Sequence, residues 1–349
     1  MSNSPKSLNK FAFQMYQNGI PSEKWQEAYD EKQQIKRLSN IFGASLSVQF
    51  VSSIIVSFAL SLLVLVLKYF AHIYFPAIYN GNKPLLENAF TLYMYITYMF
   101  IAFAVMAYML KKNPLKEINA RRIKKPALIL PAVIISLLFY AVGTIVSILI
   151  EQYMAVIHLK TVVSGFKMPT QTSAIVFYVL TICVFAPLLE EFIFRGLILQ
   201  SLRKFGDVFA IVISALLFGL MHGNLMQAPF AFVTALAFGY FVIKFNSIWV
   251  SVIAHCVINS SSVALDFFQN KLGAANTSII ILMILGGILI FSALSALILI
   301  RTDFFKENKL KNPSIFTPNL KFKSLIFTPW FIVFVGIVLL EITLTTKII

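Results

Sequence analysis

The sequence predicts an all-α, polytopic transmembrane helix bundle of about eight or nine membrane-spanning helices. Three observations carry this. Of 349 residues, 59% are hydrophobic and 12% are charged, too apolar and too poorly charged for an ordinary soluble domain. Apolar runs near the roughly 20 residues that a spanning helix needs recur along almost the whole chain. The basic residues behind a formal charge of +15 gather in short loops between those runs. That is the positive-inside pattern of a protein partnered by a lipid bilayer, not by nucleic acid.

Apolar runs place spans near 44–68, 89–110, 127–150, 173–201, 207–222, 228–243, 247–265, 277–300 and 324–345. The two around 207–243 are short and closely linked, and so open to being tilted, broken or partly re-entrant. Residues 1–43 form a polar tail with no cleavable signal, partly helical around Ser22 to Arg37. Basic residues crowd the 111–125 loop, the 301–323 loop and the tail, the last with Lys6, Lys10, Lys24, Lys32, Lys36 and Arg37. Arg203, Lys204 and Lys244 mark two further turns on that side. The opposite loops hold only Lys68, Lys83, Lys160, Lys167, Lys271 and Lys347. With nine spans every rich loop falls on one side, so a cytoplasmic N-terminus and an extracellular C-terminus in the cell membrane are expected. Cys183 and Cys256 both sit within apolar runs and read as packing residues, not a disulfide framework.

Ionisable groups deep in a membrane are costly and mark function. They concentrate between 173 and 265. Glu190 and Glu191 are followed by Arg195. Glu191 and Arg195, four apart, face one another along one side of a helix and form a structural ion pair. Glu190 points about 100° away, toward a different neighbour. Phe218 and His222 share one helix face, and His255 and Asn259 share another. At about 1.5 Å per residue, Glu190, His222, His255 and Asn259 lie about 16–22 Å from the basic end. Interhelical hydrogen bonding explains any one of these residues alone. Convergence at one depth points to a shared site. His72 and His158 fall near the outer interface, and Glu341 near the outer end of the last span.

A carboxylate, two imidazoles and an amide suit hydrolysis by an activated water. Glu190 would take the proton as general base. Asn259 and a histidine would donate to the tetrahedral intermediate. The chain lacks the His-Glu-x-x-His of soluble zinc proteases. A zinc ion held by His222, His255 and Glu190 across helices stays open as a second route. The balance favours glutamate without an obligatory metal, and no cofactor is assigned.

At these residues the chain resembles the CPBP family, the CAAX-protease and bacteriocin-processing (Abi) intramembrane proteases. The family pattern is Glu-Glu-x-x-x-Arg, Phe-x-x-x-His and His-x-x-x-Asn. It is met in order by Glu190 to Arg195, Phe218 to His222 and His255 to Asn259. The resemblance implies a catalytic core over 171–266, between N-terminal helices in 44–170 and C-terminal helices in 267–349. It implies Glu190 as the base, with His222, His255 and Asn259 in support. Glu191, Arg195 and Phe218 are then structural. The implied substrate is a membrane-associated protein or peptide. The Lys-rich composition and short loops favour bacteriocin processing, self-immunity or peptide signalling over CAAX trimming. A non-enzymatic membrane scaffold or immunity protein with the same fold is the main alternative. A proton-relay transporter would need an inverted repeat, and none stands out. Oligomeric state is not legible.

Overall fold

The computed structural model describes residues 12–348 except 75, 112, 163–167 and 273. Lys6, Lys10, Lys112 and Lys167, and the side chains of Lys68 and His72, lie outside the described residues. The fold is a helical bundle. Among the described residues, seven helices are long and apolar enough to cross a membrane, and up to eight if one bent pair counts as a span.

The first long helix, Trp25–Tyr74, runs without a break from the polar tail into the first expected span. Its middle stretch around Phe42 and Leu46 is buried, while Ile54, Phe58 and Leu65 face outward, as a lipid-facing surface would. Pro76–Leu110 follows it, then Ile129–Val156, Thr172–Phe205, Gln227–Phe245, Trp249–Leu272 and Ala274–Arg301. The last expected span is a bent pair. Pro318–Ile326 and Pro329–Thr345 meet at 75°, where Pro329 at the helix start has no N–H to carry helical hydrogen bonding across the break.

The span expected at 207–222 is corrected. Asp207–Leu220 has only 14 residues, about 21 Å of helix against a hydrocarbon core of about 30 Å. It is the rising arm of a hairpin whose return is Gln227–Phe245. The turn between them is polar and tied internally. Asn224 Oδ1 accepts from the Gln227 backbone N–H at 2.9 Å, and its Nδ2 donates to the His222 carbonyl at 2.8 Å. Asn224 is buried, so this irregular backbone is enclosed by protein, the condition for its sitting at membrane depth.

The basic loops meet at one end of the bundle. Lys125 pairs with Glu307 at 2.6 Å, and Lys244 Nζ donates to the carbonyls of Phe305 and Glu307. Asp207 accepts from the Lys311 backbone N–H at 2.9 Å, and Lys321 Nζ donates to the Phe205 carbonyl at 2.6 Å. The far end is closed by a short antiparallel ladder, with Leu159 opposite Ile348 and Thr161 opposite Thr346.

Small residues allow the tightest helix contacts. A Cβ on Gly43 would lie 2.4 Å from the Trp330 carbonyl carbon, so Gly43→Ala must push two helices apart. The expected cost is about 1–3 kcal/mol. It is read as a lower thermal unfolding midpoint of the solubilised chain, and an unchanged midpoint would count against this close approach.

Candidate active site

The Thr172–Phe205 helix is not uniform. It widens into π-helical turns over Leu180–Phe185 and Phe192–Ile198, and the two glutamates sit on the ordinary α-helical stretch between them, Ala186–Glu191. Pro187 is one cause of the widening, since it has no N–H to give the preceding turn. The Ala186 N–H donates five residues back to Thr181 O. The next donor in that register would be Pro187, so the Ile182 carbonyl lacks a main-chain partner. Asn259 supplies one: its Nδ2 donates to Ile182 O at 2.9 Å. In the second π turn Ser214 Oγ donates to Phe194 O at 2.9 Å. π turns of this kind concentrate at functional sites because they free carbonyls and re-aim side chains.

Glu191 and Arg195 are fully buried. Arg195 Nη1 donates to Glu191 Oε1 at 2.8 Å, and Nη2 reaches the Ala235 carbonyl at 3.4 Å. The guanidinium carbon lies 4.6 Å from the Phe218 ring centroid and 5.2 Å from that of Phe238. Two aromatic faces thus complement a cation that water cannot reach. Glu191 Oε2 and Arg195 Nε have no hydrogen-bond partner.

His255 stands between the two acids. Its Nδ1 lies 3.1 Å from Glu191 Oε1, and its Nε2 lies 3.7 Å from Glu190 Oε2. A carboxylate only accepts, so Nδ1 carries the proton in the shorter contact. The longer one exceeds a hydrogen bond. A water at about 2.8 Å from each atom would fit beside that gap. His222 Nδ1 lies 2.9 Å from the Phe218 carbonyl, which fixes that nitrogen as the donor and leaves Nε2 as the acceptor in the neutral ring. Phe218 packs edge-on against both imidazoles, its centroid 5.1 Å from His222 and 5.7 Å from His255.

The three motifs are therefore brought together. Glu190, Glu191, Arg195, Phe218, His222 and His255 form one connected cluster, and Asn259 fastens the Trp249–Leu272 helix one turn away. Asn259→Leu is expected to leave the Ile182 carbonyl unpaired, costing about 1–3 kcal/mol. Thermal unfolding of the solubilised variant measures this, and full retention of the midpoint would show that the bond carries nothing. Among the described residues, no three His, Cys, Asp or Glu side chains gather as metal ligands would.

Two participants were not read from the sequence. Phe238 completes the pocket around Arg195, and Tyr95 donates to Glu190 Oε1 at 2.5 Å. Tyr95 lies among Tyr93, Tyr98 and Phe100 in an aromatic-rich span, where a buried phenol's need for a partner is the only signal.

The family model described as Rce1-like, type II CAAX prenyl endopeptidase Rce1-like, matches residues 172–261. The chain is 30% identical over 108 residues to a Bacillus subtilis (strain 168) protein described as "Putative membrane peptidase YdiL". That match covers 30% of this chain and 43% of the relative's length. No solved structure matches. Residues 172–261, which match the Rce1-like family model, hold all three motifs, and both likenesses support a membrane protease of the CPBP type.

Proposed function

We propose that the chain is an intramembrane endopeptidase that hydrolyses a peptide bond of a membrane-associated protein or peptide. The observation that carries this is the gap between Glu190 Oε2 and His255 Nε2, 3.7 Å wide and backed by the Glu191–Arg195 pair. Glu190 takes a proton from a water held there and acts as general base. His255, its Nδ1–H held by Glu191, stays oriented toward that water. His222 stands by with an unprotonated Nε2 that takes the proton from Glu190 and passes it to the leaving amine. Asn259 serves the site by holding its helix against Ile182, and its amide is the further donor to the intermediate. No step needs a metal.

The substrate proposed is a bacteriocin-like or signalling peptide in preference to a prenylated protein, in line with a bacterial relative and the Lys-rich composition. The gathering of the basic loops at one end supports an N-terminus in the cytoplasm and a C-terminus outside. The test is a comparison of new peptide termini in membranes and medium from cells carrying wild type, Glu190→Gln or His255→Ala. Termini present only with wild type are expected. Identical profiles in all three would sink the assignment. A zinc chelator should leave the wild-type rate unchanged.

A further inference from the structure

The surroundings of Glu190 are not completed by the three motifs. The remaining contact comes from Pro76–Leu110, a helix outside the matched residues 172–261. Tyr95 on that helix donates its phenolic proton to Glu190 Oε1, and Tyr98, one turn on, packs edge-on against the Tyr95 ring at 5.2 Å. We infer that Tyr95 is the positioning residue for Glu190, fixing one carboxylate oxygen so that the other faces His255.

The argument is geometric. A glutamate side chain has three rotatable bonds, and an untethered carboxylate would sample several orientations. Here Oε1 is taken by Tyr95 and Oε2 is the oxygen 3.7 Å from His255 Nε2. His255 is itself held by Glu191. The base and the imidazole are thus each anchored on the side away from the other, and the gap between them has a fixed width. The type of anchor matters too. Arg195 binds Glu191 as a cation and neutralises it. Tyr95 binds Glu190 as a neutral donor, so Glu190 is oriented without being paired to a charge. Two adjacent carboxylates acquire different roles from the chemistry of their partners.

This rests on the protease reading, and the experiment separates the two. The full chain is reconstituted in phospholipid vesicles and given two sets of internally quenched peptides, one with a farnesylated cysteine followed by three further residues and one an unprenylated apolar peptide. Tyr95→Phe removes a single oxygen and is expected to lower kcat about 10- to 100-fold, with KM held within about twofold and the unfolding midpoint kept. Tyr98→Phe should behave as wild type. Glu190→Asp draws the carboxylate back from the phenol, so adding Tyr95→Phe to it should cost little more. A Tyr95→Phe kcat within about twofold of wild type, or a loss confined to KM or to the midpoint, overturns the role of Tyr95. If wild type cleaves neither set, the protease reading falls and this inference with it. If wild type cleaves, Glu190→Gln does not, and Tyr95→Phe is unimpaired, Tyr95 alone is excluded.

Discussion

Glu190→Gln is expected to reduce the cleavage rate by about 100- to 10,000-fold, the range that a general base contributes. The amide matches the carboxylate in shape and keeps an oxygen for Tyr95, so the bond at Oε1 survives. What it loses is the ability to accept a proton at the position facing His255. Because the interaction lost is one made in the transition state, kcat should fall with KM little changed. The unfolding midpoint should hold, since Glu190 has no cationic partner to strand. The same exchange one residue later should do something different. Glu191→Gln takes the counter-charge from a fully buried Arg195, so stability should drop along with activity. A Glu190→Gln protein that still cleaves at near the wild-type rate would remove the base from the mechanism.

Arg195→Met should be the most destabilising single change in the cluster. Methionine fills much of the space but leaves the Glu191 carboxylate buried without its cation. Removing one partner of a buried pair costs about 3–5 kcal/mol. The contacts with the Phe218 and Phe238 rings and the bond to the Ala235 carbonyl are lost as well. The variant should accumulate poorly in membranes and unfold at a clearly lower temperature. Replacing both charges, Arg195→Met with Glu191→Leu, should recover much of the stability, as buried pairs exchanged for apolar packing often do. It should not recover activity, because His255 Nδ1 then has no acceptor. Recovery of both would mean that the pair has no part in orienting the imidazole.

Hydropathy made most of the fold legible because a bilayer imposes one length and one backbone solution on each crossing segment. Eight of the nine apolar runs correspond to a spanning helix or to the bent pair. Asp207–Leu220 was harder. Its run extends through Met221 and His222, and only the Gly223-Asn224 turn shows where the helix ends. Helical spacing correctly paired Glu191 with Arg195, because four residues in a helix set a contact whatever surrounds it. Depth counting brought Glu190 and His255 together, since both are measured from the same basic end. Spacing could not reveal Tyr95 or Phe238, which reach the site from helices whose angular setting depends on tertiary packing. Nor could it foresee that Asn259 gives one amide proton to a carbonyl freed by Pro187. That bond exists only because the helix has left the α register, and nothing in a 3.6-residue period announces such a departure.

The π turns at Leu180–Phe185 and Phe192–Ile198 also bear on how this helix tolerates insertion and deletion. Each wide turn holds about one residue more than an α turn of the same height. Losing one residue there would turn the wide turn into an α turn of nearly the same height and leave the helix beyond it facing much the same way. The same loss within Ala186–Glu191 would turn everything beyond it by about 100°. The wide turns are therefore the places where this span can shed a residue and keep its flanks against their neighbours, with the carbonyls now bound by Asn259 and Ser214 returned to the main chain.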